Sequence, residues 1–239
     1  MGALSTVSRL SWKVWRRDLV VYLTTWKTNF LPPILEPICY VLAFGMGLGA
    51  LVRPFTYYGH ETAYLPFMAP GVVSVAIMFW SFFENTYASF VRMYYQKTFD
   101  AMMATPLLVE DVIVGEWLWG VTKSLAAAII MLLVLTAFGL VQYPTGLWVI
   151  PLAVLGGAIF ASMGLITTAI SPNIDSFNLP IFLVVFPMFM FSGTFFPVDI
   201  LPAGAQVIAW GLPLTHVSLL VRGAFLGWWP DGWWFSVLY

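Results

Sequence analysis

Charge is what this sequence has least of. Of its 239 residues only 9% are charged, against 61% hydrophobic, and mean hydropathy is +0.89. A soluble domain carries about 25% charged residues, which it needs to cover its surface. The shortage excludes a water-soluble globular protein and points to an integral membrane protein. No polar stretch is long enough to fold as a separate soluble domain. Cysteine is nearly missing: Cys39 stands alone, so no internal disulfide can form. The two histidines, His60 and His216, lie far apart, and neither they nor Cys39 have partners at metal-ligand spacing. No Ser-His-Asp set can be identified, so catalysis is the weaker class of function. A net charge of −1 offers nothing to nucleic acid. A cleavable leader is lacking too, because the apolar stretch 19–26 after the basic N-terminus is short and has no small-x-small site.

A nucleotide-binding loop is also absent. Gly115-Glu-Trp-Leu-Trp-Gly120-Val-Thr-Lys123-Ser124 resembles one superficially, but Val121 stands where Lys must follow the second glycine, and no strand precedes it. The chain holds no cofactor motif of its own, and ATP and Mg²⁺ would have to be bound elsewhere.

What the sequence has is long apolar runs, at about 30–51, 66–91, 112–141, 147–170 and 178–196, with a sixth starting at Trp233. Each of the first five has the ~20 residues that cross a bilayer as a helix. The expected fold is all-α, a single transmembrane domain over 1–239, with the sixth span cut short at Tyr239. Residues 4–29 divide into an apolar face (Leu4, Val7, Leu10, Val14, Val21, Tyr22) and a basic one (Arg9, Lys13, Arg16, Lys27). With Trp12, Trp15 and Trp26 at the boundary, this predicts an amphipathic helix lying in the membrane interface; the alternative is a solvated basic leader. Lys and Arg number seven in the N-terminal segment and the 92–111 connection, against Arg53 and Arg222 on the other side, which places the N-terminus in the cytoplasm. Trp117 and Trp119 then mark the inner interface. Segment 197–232 is too broken to span, with Pro197, Pro202 and Pro213, and too apolar for a solvated loop. It predicts a re-entrant pair of helices, about 203–210 and 214–226, carrying His216 and Arg222.

The polar connection 92–111 is the best place to meet a soluble partner. Lys97 to Ala104 predicts a short helix stopped by Pro106, with Phe99, Met102 and Met103 exposed on one side; it docks either in a partner's groove or on lipid. Glu36, Glu84, Glu116 and Lys123 fall inside apolar runs, where a charge costs about 2.5–3.5 kcal/mol unless it faces protein or water. Glu116 and Lys123 share a face about 10 Å apart, too far to pair without a group between them, and Glu116 could reach the headgroups. Trp80, Phe83 and Tyr87 form a stripe that faces either lipid or a cavity, with Glu84 and Asn85 to the side. Gly45, Gly47, Gly49 and Gly156, Gly157, Gly164 permit close helix packing, and Pro70-Gly71 predicts a break or kink.

These features together resemble the permease subunit of a type-2 ABC exporter, most closely the nodulation protein J subfamily. The resemblance rests on Met68-Ala-Pro-Gly71, Lys97-Thr-Phe-Asp100-Ala-Met-Met-Ala-Thr-Pro106, Gly115-Glu116, Ser192-Gly-Thr-Phe-Phe-Pro197, Leu201-Pro202 and Leu212-Pro213-Leu-Thr-His216. It covers essentially the whole chain. It implies a six-span half-transporter in the bacterial cytoplasmic membrane, with a second permease chain, most simply a homodimer, and two copies of a separate ATPase that binds ATP and Mg²⁺. Lys97, Thr98, Phe99, Asp100, Met102, Met103, Thr105 and Pro106 would form the coupling helix on that ATPase. Trp80, Phe83, Glu84, Tyr87, Glu116 and Lys123 are the candidate pathway, and a lipid-linked saccharide, polysaccharide, lipid or amphipathic drug the candidate cargo. The competing readings are a secondary transporter or channel, against which the lack of an internal repeat counts, and a membrane-embedded enzyme.

Overall fold

A computed structural model describes residues 9–230 and 232–238. The chain is helical almost throughout. Helix α1 (Ser11–Thr24) precedes five helices long and apolar enough to span a membrane: α2 (Asn29–Ala50), α3 (Tyr64–Tyr95), α5 (Val109–Ala137), α6 (Thr145–Ile170) and α7 (Ile174–Phe191). A short helix α4 (Thr98–Met103) lies between α3 and α5. A hairpin of β1 (Phe55–Tyr57) and β2 (His60–Thr62) joins α2 to α3. Helices α8 (Ala203–Trp210) and α9 (Pro213–Leu226) meet at a bend of 82°, and the single turn α10 (Phe235–Leu238) follows.

Physical causes are readable in each element. Helix α5 contains no proline; Asp111 in its first turn accepts a hydrogen bond from the Leu108 amide at 3.2 Å. Pro202 and Pro213 stand immediately before α8 and inside the first turn of α9, where a missing N–H costs nothing. Gly211 and Leu212 make the corner between them. The two helices therefore agree with their expected limits to within a residue. Pro70 does not break α3: the helix runs on through it to Tyr95.

Helix α3 is the centre of the bundle, buried without interruption from Phe67 to Met78 and packed on α5, α6 and α9. Small and hydroxylated residues set the spacing. Ser81 donates to the Gly157 carbonyl at 2.7 Å, and Thr168 to the Asn85 carbonyl at 2.7 Å. Asn85 is thus wholly buried against α5 and α6. The glycines 156, 157 and 164 act as expected, allowing α6 to approach α3 and α5. Helices α2 and α7 carry the most exposed apolar surface, including Met46, Leu179, Phe182 and Leu183.

The hairpin sits at the end of the bundle opposite α4. Its two-residue turn, Tyr58-Gly59, has positive φ at both positions (+45° and +82°), as in a type I′ turn. For an L-residue such as tyrosine that conformation costs about 1–2 kcal/mol. Tyr57 is buried edge-on against Phe67, and His60 stacks on Trp228 at 4.4 Å.

Three expectations need correction. The buried face of α1 is Ser11, Val14 and Asp18, while Val21 is exposed; residues 4–8 lie outside the described residues. Glycine at position 115 decides this docking, because a Cβ there would lie 2.9 Å from the Ser11 carbonyl oxygen. Arg222 is not an outward loop charge. It is 3% exposed, donates to the Phe67 and Gly193 carbonyls at 3.0 and 2.7 Å, and stacks on the Phe67 ring. Trp119 is buried and does not mark an interface. Of the expected sixth span, the described residues hold the single turn α10 (Phe235–Leu238).

Candidate functional site

Four charged side chains meet inside the α4 end of the bundle. Glu116 on α5 is fully buried and accepts hydrogen bonds from Arg92 and from Ser89 at 2.7 Å, both on α3. Arg92 also donates to Glu84 at 2.9 Å. Glu84 in turn accepts from Trp119 at 3.0 Å and from Lys123 at 2.9 Å. The chain Glu116–Arg92–Glu84–Lys123 alternates in sign and is neutral as a set. Neutrality and full hydrogen bonding are what allow charges at such depth.

Helix geometry brings them together. On a regular α-helix, residues 84 and 92 point about 80° apart. Helix α3 instead contains two wide, π-helical turns, Glu84–Ala88 and Val91–Tyr95, which take up extra residues and turn both side chains toward α5. Arg92 and Glu84 together are the intervening groups that link the Glu116 and Lys123 positions. The reading of Glu116 as a headgroup contact is therefore replaced by a buried pair, and Arg92, counted in sequence as a loop charge, belongs to the span.

One flank of this network opens into a cavity of about 390 Å³ lined by Glu36, Phe79, Trp80, Phe83, Glu84, Tyr87, Ala88 and Lys123. Trp80 reaches Glu36 through its indole N–H at 3.4 Å, and Lys123 lies 5.3 Å from both the Trp80 and Tyr22 rings. The Trp80, Phe83, Tyr87 stripe faces this cavity; Glu84 lines it as well and does not stand aside. A second cavity of about 390 Å³ adjoins the first, sharing Tyr87 and Ala88, and is bordered by Arg17, Asp18, Val21, Val91, Arg92 and Gln96. Together they form a groove in which the rings of Phe79, Trp80, Phe83 and Tyr87 stand with Glu36, Glu84 and Lys123 at one end, and Arg17, Asp18 and Arg92 border the other.

Helix α4 hangs from the same end. Lys97, with φ +54°, makes the sharp turn out of α3. Phe99 is buried with Val14 of α1 and Val112 of α5, and Met102 packs against that cluster. This corrects the exposed face: Phe99 and Met102 seat the helix, and Lys97, Asp100, Met103, Thr105 and Pro106 are exposed, with Thr98 half-buried. Lys97 and Asp100 stand 3.8 Å apart in an exposed pair. At the other end Pro197 and His216 are half-buried and Pro202 is exposed; His216 contacts the Trp210 carbonyl at 2.9 Å and Ser236 at 3.0 Å. Asp18, Ser89 and the inward turn of Arg92 were missed in sequence, because nothing in one dimension distinguishes a buried polar residue from a solvated one.

The description of the ABC-2 type transporter family matches residues 9–226, the whole of this bundle. The chain belongs to that family. It is similar to nodulation protein J of Rhizobium leguminosarum bv. trifolii, 36% identical over 219 residues, which cover 91% of this chain and 82% of that protein. Nodulation protein J of Rhizobium meliloti (strain 1021) is 32% identical over 214 residues, covering 90% and 80%. The inner membrane transport permease YadH of Escherichia coli (strain K12) is 22% identical over 214 residues, covering 90% and 82%. No solved structure matches. As an ABC-2 permease the chain is a transport subunit and not itself an enzyme, and its family implies an ABC ATPase partner.

Proposed function

We propose that this ABC-2 permease pairs with a second permease chain, as a homodimer, and with two copies of a separate ABC ATPase, in the bacterial cytoplasmic (inner) membrane. The N-terminus and α4 face the cytoplasm. Arg92 and Arg222 are buried, so they leave the charge tally. The remaining cations then stand at Arg9, Lys13, Arg16, Arg17, Lys27 and Lys97 on one side against Arg53 on the other, which strengthens the same orientation. The complex exports an amphipathic compound, a lipid-linked saccharide, polysaccharide, lipid or drug. The groove supports this cargo: the rings of Phe79, Trp80 and Phe83 suit an apolar chain, and the charged side chains along it, Lys123, Arg17 and Arg92 among them, suit a polar head. The family match over residues 9–226 carries the reading. ATP and Mg²⁺ are bound by the ATPase, whose motion α4 passes to α1, α3 and α5 through Phe99.

The test is co-purification. The chain, tagged and solubilised from a membrane that also expresses its ABC ATPase, is expected to retain that ATPase and to support Mg-ATP turnover in nanodiscs. Purification without any ATPase, with ion-gradient-driven transport in its place, would establish a secondary transporter.

A further inference from the structure

Of the charges that the sequence sets inside apolar runs, Glu36 alone is left out of the buried network. Glu84 and Glu116 are paired with Arg92 and Lys123. Glu36 makes no ion pair among the described residues, and it accepts one hydrogen bond there, the long one from the Trp80 indole at 3.4 Å. It is half-buried and stands about two turns into α2, ~10 Å along the helix axis. A carboxylate inside a span is costly without a partner and marks a functional contact by default. Glu36 borders the cavity of about 390 Å³ whose walls carry the rings of Phe79, Trp80, Phe83 and Tyr87. That volume is within the ~300–1,000 Å³ of small-molecule sites.

A carboxylate among aromatic rings is the chemistry that receives an organic cation. The charge pairs with the carboxylate, and the π-faces attract whatever part of the cation the carboxylate does not cover. Lys123 shows that an ammonium is accepted here, since it lies 5.3 Å from the Trp80 ring. Its own charge is engaged by Glu84 at 2.9 Å, which leaves the Glu36 charge without a counter-ion. An apolar occupant would strip water from Glu36 and return nothing to it. A hydroxylated one would hydrogen-bond it and leave its charge uncompensated. An anion would meet Glu36 and Glu84 together. We infer that Glu36 and the rings beside it form the site for the positive group of an amphipathic organic cation, an ammonium or related onium ion, carried as cargo. The inference rests on the export reading and deepens it, because it narrows the cargo to a compound with a positive group on an apolar body.

The experiment uses the full chain in phosphatidylglycerol nanodiscs without ATP, with radiolabelled tetraphenylphosphonium as the cationic probe. The competitors are phenylbutylamine, which is cationic, and phenylbutanol and triphenylphosphine oxide, which are neutral. The probe should bind saturably above empty nanodiscs, and the amine should displace it where the two neutral compounds do not. Glu36→Gln should weaken probe binding about tenfold or more and remove the preference for amine over alcohol, with the thermal midpoint unchanged or higher. Glu36→Asp, which keeps the charge, should keep the preference. Absence of saturable binding, equal displacement by amine and alcohol, or wild-type binding by Glu36→Gln would overturn the site. Dissociation of the permease pair in Glu36→Gln, seen by native mass spectrometry, would overturn it by giving Glu36 to a second copy. Displacement of the probe by added phosphatidylethanolamine would overturn it by giving the site to a lipid head. A chain that retains its ATPase yet shows no preference for cations refutes only the site. A chain that binds cations through Glu36 but retains no ATPase refutes only the export reading.

Discussion

Asp18 shows most plainly what a single residue decides here. It lies on the basic helix α1, 4% exposed, with one oxygen on Arg17 at 2.8 Å and the other buried without a hydrogen-bond partner among the described residues. Burial, then the charge of Glu116, raises its carboxyl from the ordinary range up to about 7; Arg92 and Arg17 pull the other way, and Glu84 adds to the rise. The unfolded chain titrates near ~3.9. The folded state therefore holds the proton more tightly. Its stability is greatest below ~3.9 and declines as pH rises to about 7, above which the dependence is flat. Asp18→Asn should remove that dependence and raise the thermal midpoint more at about pH 8 than at about pH 5, the gain in stability at the higher pH being on the order of a few kcal/mol. Tryptophan fluorescence during heating in detergent would record it. Parallel wild-type and variant profiles would show that Asp18 is ionised in the fold. None of this was legible in the sequence, where Asp18 sits between Arg17 and Leu19 like any interfacial charge. The same holds for Arg92 and Arg222. A charge tally treats each cation as water-facing, and only packing shows that these two are not.

At the scale of elements, legibility followed the signal that was used. The spans were recoverable because ~20 apolar residues have few other fates. Helices α8 and α9 were recoverable because Pro202, Gly211 and Pro213 punctuate them. The position of α4 was recovered, and its orientation was not: Phe99 and Met102 are apolar enough to face either a partner or the bundle, and six residues give too few turns to show a face. The burial of Phe99 changes what its variants should do. Phe99→Ala empties a cluster shared by α1, α4 and α5 and should lower stability by about 3 kcal/mol. Asp100→Lys alters only the exposed face and should leave stability within ~0.5 kcal/mol while weakening ATPase retention. Thermal midpoints and the co-purified ATPase fraction, measured on both variants, separate the two effects. Equal retention with Asp100→Lys would move the contact to another part of the 92–111 connection.

For the molecule as a whole, a neutral buried charge network between α3 and α5, with a surface helix seated by Phe99 against α1 and the same α5, is an arrangement suited to passing motion between a soluble motor and the spans. The central claim is that α4 touches that motor. The direct measurement is a cross-link from the exposed Met103 in a Cys39→Ser background: Met103→Cys, carrying a short photoreactive probe, in membranes that also contain the ABC ATPase. The expected result is a permease–ATPase adduct whose yield changes when ATP and vanadate are added, with no adduct from a probe at Gly232 on the opposite end. An adduct only from the Gly232 position, or none with the ATPase from either, would contradict the assignment of α4 and the orientation of the chain.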